Sequence, residues 1–348
     1  MELLDRAETH RRWIEEDTAS RLGDWLRDRI ATDAHVIPEL LGLPGGQEAL
    51  TVNATEGANA VAASAALRQG DVVTLLSTEY SSVIAAWREW TSLRGSSVQV
   101  IDVRLPATRD SVLGLLDRVA SRARILVLSV IASTSALALP VEAIGAFCEE
   151  RDIDLVLDAA HVVGHLDCRL DRARPAAVFG TLHKWLPCPR PVGFLWASEN
   201  FPRLHPSLIS LHREGDTAAE RFGWRGTWDP APLLTLREAL EVAGEWERRG
   251  LTDEARRLAD SLAEELMAAG LTPTGSPDLI APRLRAFALP DVDPTALKAH
   301  LQSRGLRVWV GADPVSGCVI RYATHVYTTA ADLSALSEAL LAYPGVRQ

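Results

Sequence analysis

Short apolar runs alternating with helical stretches are what most constrain the fold of this chain. The run ILVLSVI from Ile125, LVLD from Leu155, AVF from Ala177 and GFLWA from Gly193 are each of strand length and nearly free of polar residues. Such runs predict strands buried on both faces, as in a parallel sheet. Between them the periodicity turns helical. Residues from Gly57 to Gln69 read as a helix that ends at Gly70 and feeds the strand VVTLL after Asp71, and PVEAIGAFCEER from Pro140 reads as another helix. The expected architecture is α/β: a mainly parallel sheet sandwiched by helices. In such sheets ligands bind at the carboxyl ends of the strands, where Asp158 and the segment from Thr181 to Lys184 fall.

Residues 1–30 carry Leu3, Leu4, Trp13, Ile14, Leu22, Trp25 and Leu26 at helical spacing, and are expected to form a helical segment packing with the small domain. The composition changes near Trp228 to Pro232. One amphipathic helix then runs to about Arg249 and another from Thr252 to Gly270, followed by an α+β pattern. Its last strand, CVIRYA from Cys318, precedes a helix opened by Thr329 with Asp332 three residues on, a capping arrangement. The reading is a large domain over 31–244 and a smaller α+β domain over 245–348.

Several functions are disfavoured. A net charge of -10 over 348 residues argues against a nucleic-acid or anionic-membrane binder. No run approaches the roughly 18 apolar residues of a membrane span, and the opening MELLDRAETHRRWIEED lacks a signal-peptide apolar core. Cys148, Cys168, Cys188 and Cys318 form no CxxC pair and no Cys/His metal spacing, so reduced thiols, a cytoplasmic setting and no metal are expected. Gly42 to Gly46 do not make the GxGxxG of a dinucleotide-binding fold.

The chemistry-bearing residues recur at strand ends. In VLDAAHVVGHLDC, Asp158 closes a strand and His161 follows three residues on; Asp158 is either a carboxylate for a cationic ring or a loop-start residue, and His161 a hydrogen-bond donor or a helix-capping or core histidine. In GTLHKWLPCP, Lys184 sits beside Trp185 and Leu186, where burial would depress its pKa toward nucleophilicity, with Thr181 and His183 as candidate phosphate donors; the alternative for Lys184 is a solvated surface charge. In NATEGANAV, Ala54 and Thr55 precede a helix whose N-terminal amides favour a phosphate, or Thr55 is only an N-cap. Tyr80, shortly after a strand, either stacks on a ring or packs in the core. Arg321 is a clamp for a substrate carboxylate or a surface salt bridge. An imine-forming lysine, a carboxylate for a pyridine nitrogen, a phosphate cradle and a stacking ring are together what pyridoxal 5'-phosphate (PLP) requires.

From about Leu40 to Tyr343 these residues resemble the class V aminotransferase family of fold-type I PLP-dependent enzymes, and IASTSALALPV, HKWL and WRGTWD resemble most its isopenicillin N epimerase-like branch. The resemblance implies Lys184 as Schiff-base lysine, Asp158 as partner of the pyridine nitrogen and His161 as partner of the ring hydroxyl. It implies Ala54, Thr55, Glu56, Thr181 and His183 around the phosphate, Tyr80 on the ring, Ser133 near the ring hydroxyl and Arg321 on the substrate carboxylate. The segment RFGWRGTWDPAP resembles the element whose glycine and threonine, here Gly226 and Thr227, reach the phosphate of a neighbouring subunit, which implies a homodimer with shared active sites.

Two departures bear on activity. Desulfurases of this family carry a mobile cysteine in the loop before the arginine-bearing strand, and VGADPVSG from Val310 has none. The family's opening strand with its "LN…G" segment is not recognisable, so the mouth is expected to be more open, suiting a bulky substrate. The expected activity is chemistry at the α-carbon of an amino acid, of epimerase or C–S/β-lyase type, with Lys184 as general base and Tyr80 as a candidate second acid. Aminotransfer and a degenerate PLP-fold binding or regulatory module are the alternatives; a degenerate member would be expected to lose Lys184 or Asp158.

Overall fold

A computed structural model describes residues 2–119, 122–167, 169–211, 214–313 and 315–346. Cys168 lies outside the described residues. The large sheet has seven strands: β1 (Gln47–Thr51), β2 (Val72–Leu76), β3 (Ser97–Ile101), β4 (Ile125–Ser129), β5 (Asp154–Asp158), β6 (Ala177–Thr181) and β7 (Gly193–Ala197). Their order is β1-β7-β6-β5-β4-β2-β3. From β6 to β3 every pairing is parallel, while β7 runs antiparallel to both β6 and β1.

Period-2 geometry divides each strand between two cores. Leu126, Leu128, Leu155, Leu157 and Val178 point into one buried cluster, and Ile125, Val127, Val156, Ala177 and Phe179 into another. Apolar residues on both faces are why β4, β6 and β7 read as continuous hydrophobic runs. β3 and β1 lie at the sheet edges: SVQVI alternates because one side of it meets water, and QEALT opens with the part-exposed Gln47 and Glu48 before turning fully buried; neither stood out as a strand in the sequence.

The second sheet has the order β10-β11-β9-β8, with β8 (Thr272–Pro273), β9 (Leu284–Leu289), β10 (Trp309–Asp313) and β11 (Gly317–Ala323) all antiparallel. It buries Phe287, Ile320 and Tyr322 beneath the helices Leu251–Ala268, Pro294–Ser303 and Ala330–Leu341. Thr329 and Asp332 form a reciprocal capping box at the last of these.

Three local boundaries differ from the sequence reading. The N-terminal segment is not one helix: Asp17 caps a new turn and Gly23 begins Asp24–Ala34, so four short helices cover residues 2–41. Glu2–Glu16 packs against Ala231–Leu234, Arg11 pairs with Asp229, and Asp24–Ala34 packs on β1; these contacts lie in the span read as the large domain. The helix expected from Gly57 begins at Ala54, because the Asn53 side chain accepts from the Glu56 amide, and it ends at Ser64 rather than near Gly70. Val310 to Asp313, read as a loop, are strand: they pair with Gly317–Ile320 in a tight hairpin.

The helix Ala54–Ser64 lies close on the sheet because residue 57 has no side chain. A Cβ there would stand 2.7 Å from Phe179 Cβ and 3.3 Å from the Phe194 carbonyl oxygen. Gly57→Ala is therefore expected to lower the unfolding free energy by about 1–3 kcal/mol through overpacking, and the denaturation midpoint with it. Gly244→Ala, in a helix with open space around it, is expected to raise stability by up to about 1 kcal/mol. Chemical denaturation of the two variants checks the opposite signs.

Candidate active site

At the carboxyl ends of β5 and β6, Asp158, His161, Thr181 and Lys184 come together, with Arg321 acting on His161 and Lys184 from the second sheet. Asp158 is the last residue of β5 and is buried; its Oδ1 accepts from the Ala160 amide at 2.8 Å. Burial pushes its carboxyl up to about 6, against the opposing pull of the Ala160 bond and of Lys184. Lys184 follows the end of β6, and burial holds its amine below the ordinary lysine value, with Asp158 opposing and Arg321 reinforcing the shift. Its side chain is exposed, as the surface alternative had it, but the amine is engaged in the site, 3.2 Å from His161. Of the 36 basic residues only Lys184 and Lys298 are lysines, and Lys298 lies on the helix Pro294–Ser303, which packs on the second sheet. That scarcity was a signal available in the sequence.

His161 lies 3.2 Å from the Lys184 amine through Nε2, and its Nδ1 accepts from the Trp185 indole at 3.2 Å. It is buried, with its pKa lowered first by desolvation and then by Lys184, Arg321 and His165, so it is neutral. Thr181 donates its hydroxyl proton to the Ala160 carbonyl at 3.1 Å. His183 Nδ1 sits 2.6 Å from the Val192 carbonyl oxygen and 3.0 Å from its amide nitrogen, leaving Nε2 as the free edge of the ring.

At the helix beginning with Ala54, Asn53 is the cap and Thr55 is exposed beside it. The Glu56 amide is taken by Asn53, and its carboxylate accepts from the Val52 amide and pairs with Arg225 at 3.2 Å. Glu56 thus braces the cradle, whereas the Ala54 and Thr55 amides are left for an anion. Arg225 stacks over Trp228 at 4.4 Å and carries the turn of Gly226, at φ +90°, and exposed Thr227. Tyr80 is 48% exposed at the start of the helix after β2, which excludes core packing and leaves its ring free.

Arg321 on β11 reaches across to the Ser133 carbonyl and to its Oγ at 3.3 Å, with Trp309 5.4 Å beneath it. It has no carboxylate partner among the described residues, so the salt-bridge alternative fails. A partly buried guanidinium without a counter-ion suits an incoming carboxylate.

Glu79 was missed. It is 4% exposed, accepts from the Ser129 amide at 2.9 Å and hydroxyl at 2.6 Å, and Ser129 lies opposite Asp158 in the β4–β5 register. Burial, opposed by the Ser129 bonds and helped by Asp158, pushes its carboxyl up to about 8. The only signal in TEYSS was a carboxylate directly after a strand. A cavity of about 900 Å³ opens beside Lys184, walled by His183, Leu186, Val242, Trp246, His325 and Tyr327.

These residues suit PLP chemically: an accessible amine of depressed pKa, a buried carboxylate with no cation acting on it other than that amine among the described residues, and free helix N-terminal amides. Comparison with known proteins agrees. The family model for aminotransferase class-V matches residues 36–336. Isopenicillin N epimerase of Streptomyces clavuligerus is 31% identical over 325 residues, covering 85% of this chain and 80% of that protein. Hercynylcysteine sulfoxide lyase of Schizosaccharomyces pombe is 24% identical over 209 residues, 56% of this chain and 55% of that one. A solved cystine C–S lyase superposes with a TM-score of 0.81 at 19% identity, over 98% of this chain and 94% of that chain. The chain belongs to the class V aminotransferase family. It is a fold-type I, PLP-dependent enzyme.

Asp158 gives a test with two opposed readouts. In the unfolded chain its carboxyl ionises near the ordinary 3.8, in the folded protein near 6. The cofactor-free fold therefore loses stability as pH rises through that window. Asp158→Asn is expected to stabilise the cofactor-free protein at pH 7, by at most about 3 kcal/mol, with the gain shrinking toward pH 4. The same variant is expected to weaken PLP binding at least roughly tenfold. Thermal melts against pH and equilibrium dialysis of PLP check the two signs.

Proposed function

We propose that the enzyme acts at the α-carbon of an amino acid, with epimerase or C–S/β-lyase chemistry, Lys184 serving as cofactor anchor and as the base that moves the α-proton. The observation that carries this is the position of the Lys184 amine, 3.2 Å from neutral His161 and next to the buried carboxylate of Asp158. When bound, PLP supplies an electron sink for the pair left at the α-carbon. Asp158 holds the ring nitrogen protonated, and His161 holds the ring hydroxyl. The Ala54 and Thr55 amides, Thr181 and His183 hold the phosphate; Tyr80 covers the ring and is a candidate second acid. Arg321 takes the substrate carboxylate and so orients the α-proton toward Lys184.

Two groups of relatives support the reaction class: the epimerases, and the proteins named as L-cysteine desulfhydrases and sulfoxide lyase. Persulfide chemistry at the described cysteines is disfavoured. Cys318 faces the small-domain core, its thiol raised to about 11, and Cys148 and Cys188 are raised to about 12 by burial. The wide cavity beside Lys184, with Trp246 and Tyr327 in its wall, favours a substrate with a larger side chain than that of cysteine.

The active unit is proposed to be a homodimer in which Gly226 and Thr227 of one subunit complete the phosphate site of the other. Support comes from Thr227 being exposed, and from Leu208, Ile209 and Leu211 being exposed nearby in sequence at 55%, 70% and 88%. Three buried free thiols suit a reducing, cytoplasmic compartment. No described helix is long and apolar enough to cross a membrane.

The test is exchange of the α-hydrogen in deuterated water for a panel of L- and D-amino acids, with chiral and keto-acid product analysis. Exchange is expected with wild type and to fall by at least about a thousandfold in Lys184→Ala. Arg321→Gln is expected to raise KM for amino acids roughly a hundredfold with less effect on kcat. No exchange with any member of the panel sinks the proposal, whereas a keto acid that keeps its whole side chain, formed without release of ammonia, favours aminotransfer; a keto acid that has lost its β-substituent, with free ammonia, is the lyase outcome.

A further inference from the structure

The ring of His161 can hold its single proton in two places, and the structure assigns one of them. We propose that Trp185 is a positioning residue that locks His161 in the Nε2–H tautomer, so that His161 donates toward Lys184 and keeps that amine's lone pair, rather than a proton, in the gap between them. The proposal rests on the reading of Lys184 as the cofactor-binding amine.

An indole nitrogen donates and never accepts. With Trp185 Nε1 3.2 Å from His161 Nδ1, that nitrogen must supply its lone pair. Neutral imidazole then carries its hydrogen on Nε2, 3.2 Å from Lys184 Nζ. An ammonium there would set hydrogen against hydrogen, whereas a neutral amine accepts the bond. The geometry selects the nucleophilic form of Lys184 before anything binds. Once the amine is engaged elsewhere, the same Nε2–H is the donor available to the ring hydroxyl.

Trp185 is itself held rigidly. His165 stacks on its ring at 3.8 Å and 16°, and the Arg283 guanidinium lies 4.9 Å from the ring centre. His165 is locked in turn: Nε2 accepts from the Arg283 amide at 2.9 Å, so Nδ1 carries the hydrogen and donates to the His161 carbonyl at 2.9 Å. His325 lies parallel to Trp185 at 6.1 Å, its Nε2 3.3 Å from the Trp185 carbonyl. The charged and titratable groups acting on His161 are Lys184, Arg321 and His165, with Arg283 and His325 behind His165. Arg321 and Arg283, with Arg285 also acting on His165, are cations and none of these groups is a carboxylate, so the surroundings resist a second proton on His161 even with Lys184 neutral.

The experiment is a two-bond 1H–15N correlation spectrum of the full chain labelled with 15N-histidine, with His161 assigned by loss of its signals in His161→Gln. Wild type is expected to show the Nε2–H tautomer at His161 across pH 6–8. In Trp185→Phe, which keeps the stacked ring and removes the N–H, a mixture of tautomers is expected. The rate of PLP attachment at pH 7, followed by visible absorbance, is expected to fall roughly tenfold, with its pH profile displaced upward. An Nδ1–H tautomer in wild type overturns the proposal even if the variant fails to fold. An unchanged tautomer and unchanged pH profile in a folded Trp185→Phe also overturn it. Failure of the underlying reading shows separately, as PLP that never attaches to Lys184 in wild type.

Discussion

Placing an amine beside a buried carboxylate in one pocket is the constraint on which the rest of this structure turns. Neither group is neutralised in the way that stabilises an ordinary core. Asp158 has its carboxyl raised by burial, Lys184 has its ammonium disfavoured, and Glu79 adds a second acid behind the first. Such a pocket costs stability, and the surrounding fold offsets that cost with an apolar core on each face of the sheet and a close helix–sheet contact at Gly57. The electrostatic strain is meaningful only if a group arrives that needs both a nucleophile and a counter-charge, which PLP does.

The small sheet contributes through one cation. Arg321 extends from β11 to Ser133, just beyond β4, so the substrate clamp and the cofactor cradle are fixed relative to each other by a direct side-chain bridge. The chain of rings from His165 through Trp185 to His325 and Tyr327 runs from beneath the site to its mouth. It joins residues 161–165, 185 and 325–327, which lie far apart in sequence.

What was legible in the sequence follows physical lines. β4, β5, β6 and β7 showed themselves because strands covered on both faces leave nothing but apolar residues to write. β1 and β3 did not, since edge strands mix polarity. Val310 to Asp313 looked like a loop because Gly311, Asp313 and the following Ser316-Gly317 are turn residues, yet the hairpin carries its ladder up to the turn. In the site, Lys184, Asp158 and His161 were visible as polar residues at or just past strand ends and Arg321 as a cation within a late strand, and the fold brings them together. Glu79 and the Trp185 indole were hidden: their roles depend on pairing across strands and on which atom faces which, information that no local pattern holds. Glu56 shows the converse, since its position beside Thr55 suggested a phosphate site while its side chain turns away to Arg225.

The most direct measurement is borohydride reduction of the PLP-loaded protein followed by peptide mass mapping. With only two lysines in the chain, the outcome is nearly binary. The account predicts the reduced cofactor on Lys184 and none on Lys298. Label on Lys298, or a protein that takes up no PLP at all, would contradict it.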